Sequence, residues 1–244
     1  RGRNTSTHAR VEGSTSNTPT GVWTHVCFTM RPGEASGLKL YINGTQSYYG
    51  PSSSASITDY SMPNPRLQIG AMNDTKPLDG YIDEVALWNA ELSADDIKTL
   101  YQVQGSHFNS FGSTHFPQQD SLVAYYPLNG DWNDHSGNGL HSLPHNNGGL
   151  DDNLPIIESK AKIGTGSARF DDDTALQYAE VPNSTDLDNL QDGSFTLSAW
   201  YRPDTSPNNN NTRDSSHGII MKAGYNMGLR YLSNKKFMFN LWAS

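Results

Sequence analysis

The residues best equipped for chemistry in this 244-residue chain are its carboxylates, and their spacing limits what they do. Asp83 and Glu84 are neighbours inside an apolar run. Adjacent residues of a strand project to opposite faces, so the two are not expected to form the facing acid pair that glycoside cleavage requires. Asp151-Asp152 and Asp171-Asp172-Asp173 lie in polar turns that favour solvated acids. The eight histidines show no metal-type spacing, and Cys27 has no activating base beside it. Neither a nucleophile elbow nor a phosphate-cradling glycine loop occurs. The expectation is a protein that is not an enzyme.

Sugar recognition uses aromatic rings together with amides and carboxylates. By type, Trp200, Trp242, Tyr225 and Trp23 are the candidate ligand-binding rings, against the alternative that large aromatics in strands pack into a core. Five N-x-S/T sequons, at Asn4, Asn43, Asn73, Asn183 and Asn210, are acceptors if the source glycosylates its proteins. The net charge is −8 with a pI near 5.4, and no Lys/Arg cluster tracks a phosphate backbone, so nucleic acid is not an expected partner. No apolar run is long enough to cross a bilayer as a helix. Cys27 is the lone cysteine, which excludes an internal disulfide and suits a small buried side chain.

The elements that must position these residues are short strands. Residues 21–30 alternate, with Val26, Phe28 and Met30 opposed to His25, Cys27 and Thr29. Leu38-Lys39-Leu40-Tyr41-Ile42 leads into Asn43-Gly44, the strongest hairpin signal in the chain. Residues 80–89 form an apolar, aromatic strand that runs straight into a short helix near 93–102. Ser93 there is placed to accept from the Asp96 amide, and Ile97, Leu100 and Tyr101 fall at helical spacing. Later, Phe195, Leu197, Ala199 and Tyr201 share one face of a strand and Trp200 takes the other. Residues 1–20 suggest a loop or weak edge strand, and 104–119 a linker.

Several of these stretches together resemble the laminin G-like domains of the concanavalin A-like jelly rolls. The resemblance is carried by Trp23-Thr24-His25-Val26, Leu40-Tyr41-Ile42-Asn43-Gly44, Leu67-Gln68-Ile69-Gly70 and the closing strand from Gly80 with its helix to Tyr101. It continues in Leu122-Val123-Ala124-Tyr125-Tyr126-Pro127-Leu128-Asn129-Gly130, Asp134-His135-Ser136-Gly137-Asn138-Gly139, Gly166-Ser167-Ala168-Arg169-Phe170 and Phe195-Thr196-Leu197-Ser198-Ala199-Trp200. It implies an all-β, antiparallel two-sheet jelly-roll sandwich with one short helix. Residues 1–103 are similar to the C-terminal half of such a domain and 120–244 to its N-terminal half, so the halves stand in reverse order. Either half alone would leave open sheet edges, and completion comes from the same chain or from a neighbouring copy.

The family often holds calcium between the turn after its first strand and its closing strand. The resemblance therefore implies Asp134, oxygens around Gly137 and Asn138, and Asp83 as Ca2+ ligands. The expected function is that of a non-enzymatic extracellular or cell-surface structural and adhesive protein, a repeating unit assembled into a fibre or array with neighbouring copies of itself. The alternative is a carbohydrate-binding, lectin-like module in which the permuted chain closes as a monomer and glycans are the partners.

Overall fold

The computed structural model describes residues 8–13, 18–34, 36–47, 66–72, 78–105, 116–146, 154–171, 176–191, 193–206, 216–222 and 227–242. In chain order the strands are β1 (His8–Glu12), β2 (Thr24–Met30), β3 (Leu38–Ile42), β4 (Thr45–Gln46), β5 (Leu67–Ile69) and β6 (Gly80–Trp88), followed by helix α1 (Ala94–Gly105). Then come β7 (Leu122–Tyr126), β8 (Leu143–Asn146), β9 (Ile156–Glu158), β10 (Ser167–Phe170) and β11 (Gln177–Val181), a short helix α2 (Thr185–Asp188), β12 (Phe195–Pro203), β13 (Ser216–Lys222), β14 (Met227–Leu232) and β15 (Phe237–Trp242).

These strands make two antiparallel sheets. One runs β1-β15-β14-β13-β5-β11-β8; the other runs β4-β3-β2-β12-β6-β10-β9, with β7 paired to β6. The two parts of the chain interleave in both. In the eight-stranded sheet β12 lies between β2 and β6, with Phe195 opposite Met30 on one side and Thr196 opposite Trp88 on the other. In the seven-stranded sheet β5 lies between β13 and β11, and β1 pairs with β15, so the described His8–Glu12 stretch is an edge strand.

The alternation read from the sequence sets the core. Val26, Phe28 and Met30 meet Phe195, Leu197, Ala199 and Tyr201 between the sheets, together with Leu229, Tyr231, Phe237 and Phe239. A second apolar layer lies on the outward face of the eight-stranded sheet, where Cys27, Tyr41, Ala86, Trp88 and Tyr125 are covered by Ile97 and Leu100 of α1 and by Phe116. Helix α1 begins where Ser93 stands ready to cap it. The Asp96 amide donates to Ser93 Oγ at 3.1 Å, and the Ser93 amide donates back to Asp96 Oδ2 at 3.1 Å. Asn43 (φ 50°) and Gly44 (φ 73°) form the two-residue turn between β3 and β4.

Sheet-to-sheet packing leaves no room at Gly70. Its φ is +89°, and a Cβ there would lie 2.3 Å from the Phe170 ring. Gly70→Ala combines left-handed strain with a clash in a filled core, and should cost about 2–4 kcal/mol. Thermal denaturation by circular dichroism checks this; an unchanged midpoint would show that the Phe170 ring yields freely.

Candidate functional site

β6 is irregular where its acids sit. Ser198 pairs with Ala86 and Trp200 pairs with Asp83, so Glu84 and Val85 together oppose Ala199. This is a β-bulge, and Glu84 occupies the left-handed region at φ 55°. Val85 turns inward to the core while Asp83 and Glu84 both stay on the outward face. The expectation that they project to opposite faces is thus corrected, because strict alternation fails at a residue with positive φ. Both side chains are buried, at 0% and 1% exposed.

The bulged acids bind elements from the other part of the chain. Asp83 Oδ2 accepts from the amides of Lys162 (2.8 Å) and Ile163 (3.0 Å), and Glu84 Oε2 accepts from the Tyr125 hydroxyl at 2.8 Å. Asp83 Oδ1 is buried without a hydrogen-bond partner among the described residues. Burial, reinforced by the neighbouring Glu84 charge, holds the Asp83 carboxyl well above the usual carboxylate range despite those amides. The arrangement stabilises a protonated acid in a closed layer and offers a substrate no access to either carboxyl.

Asp134 serves a different segment. Its Oδ1 accepts from the amides of Tyr125 (2.9 Å) and Ser136 (2.9 Å), and its Oδ2 accepts from the Ser136 hydroxyl (2.9 Å) and the Leu140 amide (3.0 Å). Asn138 Nδ2 donates to the carbonyls of Leu122 and Val123, both at 2.9 Å, and Gly137 turns the chain at φ 100°. Asp83 and Asp134 share no partner in these bonds. Among the described residues no three His, Cys, Asp or Glu side chains come together to hold a metal. The donors around Asp134 suit a turn better than a cation cage.

The candidate aromatics separate. Trp200 is 2% exposed, stacked on Tyr101 of α1 with centroids 5.6 Å apart, and therefore packs instead of presenting a ring. Trp23 is half-buried and meets Tyr81 edge-on at 6.4 Å. The Trp242 side chain and Tyr225 lie outside the described residues.

Two polar clusters had no signal in local sequence. On the side of the seven-stranded sheet away from the core, Gln68, Met221, Arg230, Met238 and Asn240 lie on neighbouring strands opposite the inward Leu67, Ile220, Leu229, Phe239 and Leu241, and all five are themselves buried. Along it His145 stacks on Tyr178 at 5.3 Å, and Arg66 pairs with Glu180 at 3.1 Å. On the outward face of the eight-stranded sheet, Lys160, Arg169 and Arg202 converge on the Tyr81 ring. Strand register brings these residues together, and register is not written in the spacing of any one strand.

The fold is an all-β sandwich of two antiparallel sheets, and part of the chain is similar to known laminin G-like sequences. Residues 2–98 match the model of the concanavalin A-like lectin/glucanases superfamily, Laminin_G_3. The human adhesion G-protein coupled receptor D1 is 41% identical over 85 residues, which are 34% of this chain and 9% of the receptor. The chain thus spans a small part of the curated relative it matches. No solved structure matches it. The laminin G-like resemblance read from the motifs is borne out over residues 2–98, and the architecture is the all-β two-sheet sandwich it implied.

Two results test the buried polar groups. Asp134→Ala removes the acceptor for four donors and should lower stability by about 2–4 kcal/mol in urea denaturation; a loss under about 0.5 kcal/mol would show that the turn holds without it. Burial pushes His25 down to about 3 and His217 down to about 4. Unfolding lets both take up protons at their ordinary values, so their contribution is fully present above pH ~6.5 and is lost as pH falls below it. Each histidine should remove about 1.4 kcal/mol per pH unit between ~6.5 and its folded value. His217→Gln should flatten the measured pH dependence of the urea midpoint, and an identical slope would assign the acid sensitivity elsewhere.

Proposed function

We propose that this chain is a non-enzymatic adhesive module, displayed outside the cell, that binds glycan through an outward sheet face. The observation that carries the reading is the insertion of β12 between β2 and β6, which completes the eight-stranded sheet from one chain. A self-completed sandwich keeps its apolar surfaces inside and leaves recognition to the side chains that stay accessible at its surface, such as exposed Lys160 and half-exposed Trp23. The similarity to a segment of an adhesion receptor supports adhesion as the role. Burial of Asp83 and Glu84 away from any substrate supports the absence of catalysis.

A second reading, assembly of copies into an array, rests on the interleaving of strands from residues 1–103 with strands from residues 120–244. In an exchanged assembly the first segment of one copy would rebuild the same pairings on the second segment of the next.

Size-exclusion chromatography with light scattering, followed by retention of glycans or cells on the immobilised protein, tests both readings. A particle of 26.8 kDa that retains a glycan is the expected result. Long particles would replace the monomeric module with the exchanged array, and failure to retain any glycan or cell would overturn the adhesive reading.

A further inference from the structure

Two of the five N-x-S/T sequons, Asn43-Gly44-Thr45 and Asn183-Ser184-Thr185, lie within the described residues, and the fold treats their carboxamides differently. Asn43 sits at φ 50° in the turn between β3 and β4. Its main-chain amide donates to the His25 carbonyl at 2.9 Å, and the His25 amide donates to Asn43 Oδ1 at 3.0 Å. The side-chain oxygen thus stands in for a main-chain carbonyl and continues the β2–β3 ladder beyond the Val26–Ile42 pair. A carboxamide held through its oxygen leaves its nitrogen on the other branch. Asn43 Nδ2 has no hydrogen-bond partner among the described residues, and Asn43 is exposed.

The turn around it is closed on one side and open on the other. Gly44 packs against Tyr101 of α1 so closely that an added Cβ would lie 3.0 Å from Tyr101 Cβ. Thr45 and Gln46 are exposed, and they are the whole of β4, the last strand of the eight-stranded sheet. Among the described residues no strand pairs with its outer edge. Such an edge offers unpaired amides and carbonyls to another chain. Asn183 is placed less freely. Its Nδ2 donates to Asp188 Oδ2 at 3.2 Å, and Ser184 Oγ accepts from the Leu187 amide at 3.2 Å to cap α2. A sugar on Asn183 would crowd Asp188, which also pairs with the buried Lys222 at 3.6 Å.

We propose that Asn43 is an N-glycosylation site whose oligosaccharide shields the β3–β4 edge of the eight-stranded sheet. The donor class is a lipid-linked oligosaccharide pyrophosphate. Asn43 Nδ2 gives up one proton and bonds to the anomeric carbon of the first sugar. The bond from that carbon to the pyrophosphate oxygen breaks, and the lipid pyrophosphate leaves with the electron pair. Thr45 supplies the hydroxyl residue that the sequon requires. The product retains the carboxamide oxygen and one N–H, so the bond from the His25 amide survives the modification. A bulky, solvated oligosaccharide rooted at the tip of this hairpin stands beside β4, and a second chain pairing along that edge would have to displace it.

The inference rests on the extracellular part of the proposed reading and adds a covalent modification and its place. The whole chain, secreted from a eukaryotic cell line behind a cleavable signal, tests it. Amidase release of glycans in heavy-oxygen water marks each asparagine that carried one, and peptide mass spectrometry locates the mark. The expected result is a mark at Asn43 that is lost in Thr45→Ala and kept in Thr45→Ser. Thr45→Ala should also scatter more light than the native chain at high protein concentration, with Thr45→Ser matching the native chain. An unmarked Asn43 in the secreted, folded protein would overturn the site. Equal scattering by Thr45→Ala and Thr45→Ser would overturn the shielding. Retention of glycans or cells, measured on bacterially produced chain that carries no oligosaccharide, reports on adhesion separately, so failure there would end the adhesive reading without touching the mark at Asn43.

Discussion

The fold depends on the pairing of β12 with two strands that lie far from it in the chain. β12 donates and accepts along both edges, to β2 on one side and to β6 on the other. Without it, β2 and β6 would expose unpaired backbone and the inward faces of Phe28, Leu87 and Val85 would lose their cover. The same join recurs in the other sheet, where β5 is held between β13 and β11. Neither segment of the chain therefore has a complete core of its own, and stability is a property of the interleaved whole. Cross-links outside the sheets support the join: the Leu92 amide donates to Thr196 Oγ1 at 3.0 Å, and Trp88 Nε1 donates to the Pro117 carbonyl at 3.0 Å.

The irregularity in that pairing shapes the surface above it. Because β6 carries one more residue than β12 between their aligned positions, two acids crowd onto one face and are closed in by Tyr125 and the 162–163 turn. Burial then works against ionisation, so the acids become part of the packing. The same turn that holds Asp83 through its amides carries Lys162 onto Trp200 and follows Lys160 on Tyr81. One backbone feature thus removes two carboxylates from solvent and sets two ammonium groups beside them at the surface.

Much of the architecture was legible in the chain. Alternation in 24–30 and 195–203 separated inward from outward residues correctly, Asn43-Gly44 marked its hairpin, and Ser93 marked the start of α1, because each of these signals acts over a few residues. Asp134 was legible as a residue of consequence, but its four donors come from Tyr125, Ser136 and Leu140, which show it organising a turn. Trp200 was legible as a large aromatic on the outward face, and only its contact with Tyr101 reveals that α1 covers it.

Sequence alone determined the strands, their faces, the capped helix and the family resemblance, since hydrophobic period and turn chemistry are local quantities. Tertiary structure decided the register between distant strands, the bulge that reverses the expected separation of Asp83 and Glu84, and the meeting of Trp23, Tyr81, Lys160, Lys162, Arg169 and Arg202. The physical reason is that a local pattern states which way a side chain points, whereas its neighbours across a sheet depend on how far one strand slides against another. That slide is set by the packing of the whole core.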